Sequence, residues 1–176
     1  HIACQDMAAF VRSAWLRGVS ALPNSFAHDS FIDELAFEIG CDPVEFRLRH
    51  LKEERARDVM AETARHADWQ TGRQGSRGRP DENGMLYGRG VAYARYTHSR
   101  FPGFGAAWNA WVVDVSVHAA TGRVTVTRVV VGQDTGMVVN PDGVRHQIHG
   151  NIVQMLSRTL KEEVAFNSKG VVDLEW

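Results

Sequence analysis

Two amide side chains, Gln147 and Gln154, stand seven residues apart in the run DGVRHQIHGNIVQMLSR, so on a helix they share nearly one azimuth. Each amide carries two donors and two acceptor pairs that need partners wherever water is excluded. A polar heterocycle laid against that face would satisfy them. Loop carbonyls or neighbouring backbone would serve as well, and periodicity alone favours that plainer account. His146 and His149, at i and i+3 on the same run, could face one metal, but no third ligand stands at a suitable spacing. Ser25, His28 and Asp29 invite a hydrolase reading, yet no G-x-S-x-G elbow surrounds the serine. Asp134, after an apolar run, reads as a turn former rather than a base. Arg73, Arg77 and Arg79 could grip a phosphate, although no aromatic or helix terminus accompanies them and solvated linker charge is the simpler role.

The elements that would position these groups follow from periodicity. Between Asn24 and Gly40, Phe31, Leu35 and Ile39 recur every fourth residue beside Ile32 and Ala36, an apolar stripe that predicts a helix ending at Gly40. Asp42-Pro43-Val44-Glu45 predicts a second helix start, with Asp42 as cap, Pro43 in the first turn, and Glu45 able to reach back to the cap. Val44, Leu48 and Leu51 form its inner face, and Arg47, Arg49 and Lys52 a solvated one. A third helix, from about Glu53 to Trp69, buries Ala56, Val59, Met60, Ala64 and Ala67. The stretch QTGRQGSRGRPDENG has no apolar period and reads as a linker.

Beyond it, Trp111, Val113, Val115 and Val117 alternate onto one face, and Val124 and Val126 do the same after a tight Ala120–Arg123 connection. This predicts a hairpin, with Gly90–Tyr96 as a neighbouring strand. Asn140-Pro141-Asp142 starts the helix of the two glutamines, which runs to about Lys161 with Val144, Ile148, Val153, Leu156 and Leu160 as its apolar side. A strand pair, Glu163–Phe166 with Val171–Trp176, closes the chain. The expected fold class is α+β: a helical lobe over residues 1–70, a Gly/Arg linker over 71–87, and over 88–176 an antiparallel sheet packed on a long helix.

Composition restricts the function classes. The chain has 176 residues, 44% of them hydrophobic, and a net charge of −1, which leaves no general nucleic-acid footprint. Its two cysteines, Cys4 and Cys41, form no C-x-x-C, so a zinc ribbon or iron–sulfur motif lacks support and both read as free thiols. No apolar run approaches the roughly 20 residues that span a bilayer. The opening HIACQDMAAF lacks a signal-peptide pattern.

Taken together, TGRVTVTRVVVGQDTGMVVNPDGVRHQIHGNIVQMLSRTLKEEV and LRGVSALPNSFAHDSFIDELAFEIGCDPVEFRLRHL resemble the molybdopterin-binding large subunit of the xanthine dehydrogenase and aldehyde oxidase family. The likeness is closest to its bacterial isoquinoline-oxidoreductase branch, which oxidises N-heterocycles and aldehydes. It implies that Gln147, three residues before Gly150, lies against the molybdopterin. It also places Arg17 and Gly18 in the family's pocket loop, where a forked cationic side chain could orient a substrate carbonyl or steady negative charge. A surface ion pair is the ordinary alternative for Arg17. Met155 replaces the usual Gly, His149 a common Glu, and VSALPN the usual Gly-Gly-Pro after the arginine.

The resemblance further implies a molybdenum cofactor in its cytosine dinucleotide form, held by pterin sulfurs rather than protein side chains. Iron–sulfur clusters belong to a partner small subunit. The reaction would be water-derived hydroxylation of an aldehyde or N-heterocycle. The family's glutamate base and upstream cofactor shell have no counterpart here, so the expectation is a segment that needs the remainder of the large subunit and does not turn over substrate alone. The competing expectation is a non-catalytic α+β binding or structural module. Compartment, cytoplasm or periplasm, stays open.

Overall fold

The computed structural model describes residues 16–71, 79–97 and 105–173, with residues 3, 8 and 14 besides. Its elements run α1 (Ala21–Glu38), α2 (Pro43–His50), α3 (Glu54–His66), β1 (Met85–Thr97), β2 (Ala106–His118), β3 (Val124–Asp134), α4 (Pro141–Leu160), β4 (Phe166–Asn167) and β5 (Gly170–Val171). The expected α+β class is what the structure has. Backbone contacts divide the chain into two compact units, one of residues Ser20–Asn140 and one of His1–Val19 with Pro141–Trp176.

In the first unit β1, β2 and β3 form an antiparallel sheet in sequence order. The hairpin expected around residues 119–123 joins β2 to β3, and the Gly90–Tyr96 segment lies within β1, paired to β2. A bulge at Asp114/Val115 leaves Thr127 unmatched, and the Thr127 hydroxyl donates to the Asp114 carbonyl at 3.1 Å. Helix α3 lies on β2 and β3, and α1 reaches β1. The alternation along β2 is as expected, and the face turned to the core is Trp108, Ala110 and Val112, while Trp111, Val113, Val115 and Val117 are only partly covered. Ala56, Met60, Thr63 and Ala64 are buried on α3, and the small residues Ala110 and Gly132, which face each other across the β2–β3 ladder, let it come close to the sheet.

Local signals set the helix ends. After α1, Gly40 takes φ +66°, its N–H donates to the Phe37 carbonyl at 3.0 Å, and the Cys41 N–H donates to Ala36 at 2.9 Å, the double bond of a Schellman stop. Asp42 caps α2 as expected: its Oδ1 accepts from the backbone N–H of Val44 at 2.9 Å and of Glu45 at 3.1 Å. The same carboxylate accepts the Trp69 indole N–H at 3.0 Å. Glu45, by contrast, turns to Arg49 on the next turn instead of reaching back to the cap. Asp42→Ala should therefore remove a cap and orphan an indole donor, lowering the unfolding free energy of the purified chain by about 2 kcal/mol. Urea unfolding of Asp42→Asn, which keeps a capping oxygen, should show a smaller loss.

The side assignments of α1 and α2 are corrected by one buried cation. The spacing of Arg47 predicts a solvated face, but Arg47 is 4% exposed. Its guanidinium donates to both Asp29 oxygens at 3.2 and 2.7 Å, to Asp33 Oδ1 at 2.7 Å and to the Pro43 carbonyl at 3.0 Å. Asp29 also accepts the Tyr93 backbone N–H at 3.2 Å, tying α1, α2 and β1 together. Because Asp29 and Asp33 must meet Arg47, α1 turns that side and Ala36 inward and leaves Phe31, Leu35 and Ile39 of the expected apolar stripe exposed. Burial works against the charge of Arg47, yet its two carboxylate partners hold its pKa above the ordinary value. Val44, Leu48 and Leu51 do form the inner face of α2, and Arg49 and Lys52 stay exposed as the spacing predicts.

In the second unit, α4 begins at Pro141, with Asp142 in its first turn bonded to Arg145 at 3.0 Å. None of its residues is fully buried; Val144, Ile148 and Leu156 are half-covered, while Val153 and Leu160 are exposed. The closing strand pair is short: Phe166–Asn167 pairs with Gly170–Val171 across a turn in which Asn167 Oδ1 accepts the Lys169 N–H at 2.8 Å. Among the described residues no helix is long and apolar enough to cross a membrane.

Candidate functional site

The two segments singled out by the sequence meet inside the second unit. Leu16 to Val19 form a tight turn closed by the Val19 N–H on the Leu16 carbonyl at 2.8 Å. Gly18 occupies its third position with φ +89°, a backbone state open to glycine at little cost. Val19 follows at φ +47°, a costly conformation for a β-branched residue and a sign that the turn is held in place. From this turn the Arg17 guanidinium donates to Oε1 of Gln147, 130 residues later in the chain. Both side chains are exposed.

In that bond the amide accepts through its oxygen. With Oε1 accepting from Arg17, the Nε2–H₂ group and the other guanidinium N–H groups remain as donors at an exposed position. The backbone carbonyl of Gln147 accepts from the Asn151 side chain at 2.8 Å, so Asn151 is directed along the helix. Gly150, one turn on, faces open space: an added Cβ would meet nothing within 4 Å. Donors beside an open stretch of backbone suit an acceptor-rich ligand.

The other candidates resolve differently. His146 and His149 lie on the same helix, and among the described residues no three His, Cys, Asp or Glu side chains gather as a metal site. Asp29 is committed to Arg47 and the Tyr93 backbone, which removes it from any triad with Ser25 and His28. Asp134 is a turn former, accepting the Gly136 N–H at 2.8 Å, and is also gripped by Arg55 at 2.7 and 2.5 Å. Arg55 holds its carboxyl below the usual carboxylate range. Cys41 is a free thiol. Cys4, Arg73 and Arg77 lie outside the described residues, and Arg79 is exposed.

Three features escaped the sequence. One is the Arg47 cluster, whose only trace is the i, i+4 pair Asp29 and Asp33. Another is the Arg55 guanidinium stacked 4.0 Å over the Trp108 ring, whose indole N–H donates to Glu53 at 2.6 Å. The third is a cavity of about 390 Å³ between the end of α1, Trp69 and β1. Its polar walls are already engaged: Asp42 caps α2, and Arg89 binds Asp114.

Comparison with known proteins agrees with the resemblance. A family model described as a molybdopterin cofactor-binding domain matches residues 31–173. A nicotinate dehydrogenase subunit of Pseudomonas putida is 58% identical over 176 residues, covering the whole chain and 15% of that protein. The beta subunit of isoquinoline 1-oxidoreductase from Brevundimonas diminuta is 33% identical over 159 residues, 90% of this chain and 18% of that protein. A membrane-bound aldehyde dehydrogenase (pyrroloquinoline-quinone) of Gluconacetobacter polyoxogenes is 30% identical over 166 residues, 86% of this chain and 20% of that one. The chain thus spans 15 to 20% of the length of these relatives. It belongs to the molybdopterin cofactor-binding domain family, which it shares with molybdopterin-binding subunits of the xanthine dehydrogenase type.

Proposed function

We infer that the chain supplies one wall of the cofactor site in a molybdenum hydroxylase, with Gln147, Arg17 and Gly18 facing the molybdopterin. The observation that carries this reading is the Arg17–Gln147 hydrogen bond, which joins two residues chosen for separate reasons at an exposed position. Gly18 sets the turn that presents Arg17. When bound, the cofactor supplies the metal centre that takes up the electrons of substrate oxidation. The chain's own part is to bind and orient: Gln147 donates through Nε2–H₂, Arg17 fixes that amide by its other end, and Gly150 gives room for close approach.

An N-heterocycle is preferred to an aldehyde as the substrate class, because the relative at 58% identity is part of a nicotinate dehydrogenase and the one at 33% acts on isoquinoline by its name. The cytosine dinucleotide form of the cofactor, an iron–sulfur partner subunit and the remainder of the large subunit are parts of the same proposal. The exposure of Gln147, together with Met155 and His149 where the resemblance expects Gly and Glu, favours the second reading of a module without cofactor.

The two readings separate on one variant. In the assembled enzyme, Gln147→Ala should lower the retained pterin and molybdenum per polypeptide by about tenfold, the loss of one charge-supported hydrogen-bond site. Pterin fluorescence and metal analysis measure it without reference to turnover. Retention at the native level would leave the cofactor-free module as the better account.

A further inference from the structure

Beyond the single contact at Gln147, α4 presents a continuous polar strip. Seven residues advance an α-helix by about 700°, so Gln154 falls about 20° from Gln147, and Arg158, at about 1,100°, falls about 20° to the other side. Gly150, which faces open space, lies between the two amides along the axis, about 60° around from Gln147, and leaves the backbone bare beside the strip. Arg158 is half-covered, and among the described residues it has no carboxylate partner. The strip therefore changes from neutral amides to a fixed positive charge over eleven residues, about 16 Å along the axis.

A basic residue in the last turn also suits the helix macrodipole. That effect has no preference for azimuth, and the adjoining Lys161 would serve it too. The alignment of Arg158 with the two glutamines, on the face that Arg17 marks, needs another reason. We propose that this face of α4 is an extended ligand strip on which Gln147 and Gln154 bond the uncharged part of the cofactor and Arg158 pairs with its phosphate groups. The proposal rests on the cofactor reading above and goes further by assigning Gln154 and Arg158. Guanidinium is the side chain best matched to phosphate, through two parallel N–H donors and a charge that never titrates away.

The test uses the assembled holoenzyme and reads cofactor retention by pterin fluorescence and molybdenum content after gel filtration at low and at high salt. Arg158→Gln should lose pterin and molybdenum together about tenfold faster than the native enzyme at low salt, with the gap narrowing at high salt as the ion pair is screened. Arg158→Lys, which keeps the charge, should restore most of the retention. Gln154→Leu, of similar shape, should lose cofactor with no dependence on salt, and it serves as the test if Arg158→Gln does not assemble. Native retention in Arg158→Gln or in Gln154→Leu, beside a loss in Gln147→Ala, overturns the strip and leaves the cofactor reading standing. Native retention in all of these variants overturns both.

Discussion

Arg47→Met should destabilise the purified chain by roughly 3–5 kcal/mol, the usual cost of removing one partner from a buried ion pair. Urea unfolding measures it. The side chain of Arg47 is 3% exposed and neutralises Asp29, itself 10% exposed, at 2.7 Å. Methionine fills much of the volume but leaves Asp29 without its counter-charge in a site where water cannot replace it.

The pH dependence checks the cause. In the native chain burial lifts the Asp33 carboxyl above its ordinary range, and its bond to Arg47 pulls the other way. A carboxyl whose folded pKa exceeds its unfolded value contributes stability that is full below the unfolded value, near pH 4, and is lost as pH rises through the folded one. Removing Arg47 raises that folded value further. The deficit of Arg47→Met should therefore shrink as the pH is lowered toward about 4. A deficit unchanged by pH would point to lost packing alone.

Gly132→Ala should cost about 3 kcal/mol, an overpacking penalty at the upper end of the common range. A Cβ built on Gly132 would stand 1.9 Å from the Thr63 hydroxyl and 3.2 Å from the Val59 carbonyl. The hydroxyl cannot simply swing aside, because it donates to that same carbonyl at 2.6 Å from a buried position on α3. Thr63→Ala removes the nearest atom, so the double variant should be less unstable than the sum of the two single ones. Thermal or urea unfolding of all four forms gives the coupling directly. Additive losses would mean that α3 lifts from the sheet as a whole.

These two positions show where sequence reasoning held and where it stopped. Asp42, Pro43 and Gly40 act on their immediate neighbours through short-range hydrogen bonds and backbone angles, so their roles at the helix ends were legible from residue type and order. Hairpin pairing was legible for the same reason. The inward side of α1 was not, because it is set by Arg47 in another helix, and a charge in an eight-residue helix looks the same in sequence whether it faces water or two carboxylates. Gly132 carries no local signal of its role, which comes only from α3 lying across it.

The candidate site divides along the same line. Sequence by itself determined the class α+β, the helix that carries Gln147 and the family to which the chain belongs, since all three depend on local order and on motif spacing. Only the tertiary structure decided that Arg17 reaches Gln147 and that α3 is the helix laid on the sheet. The physical reason is range: hydrogen-bond partners 130 residues apart and packing between separate elements depend on how the chain is brought together in space, which neither periodicity nor composition encodes.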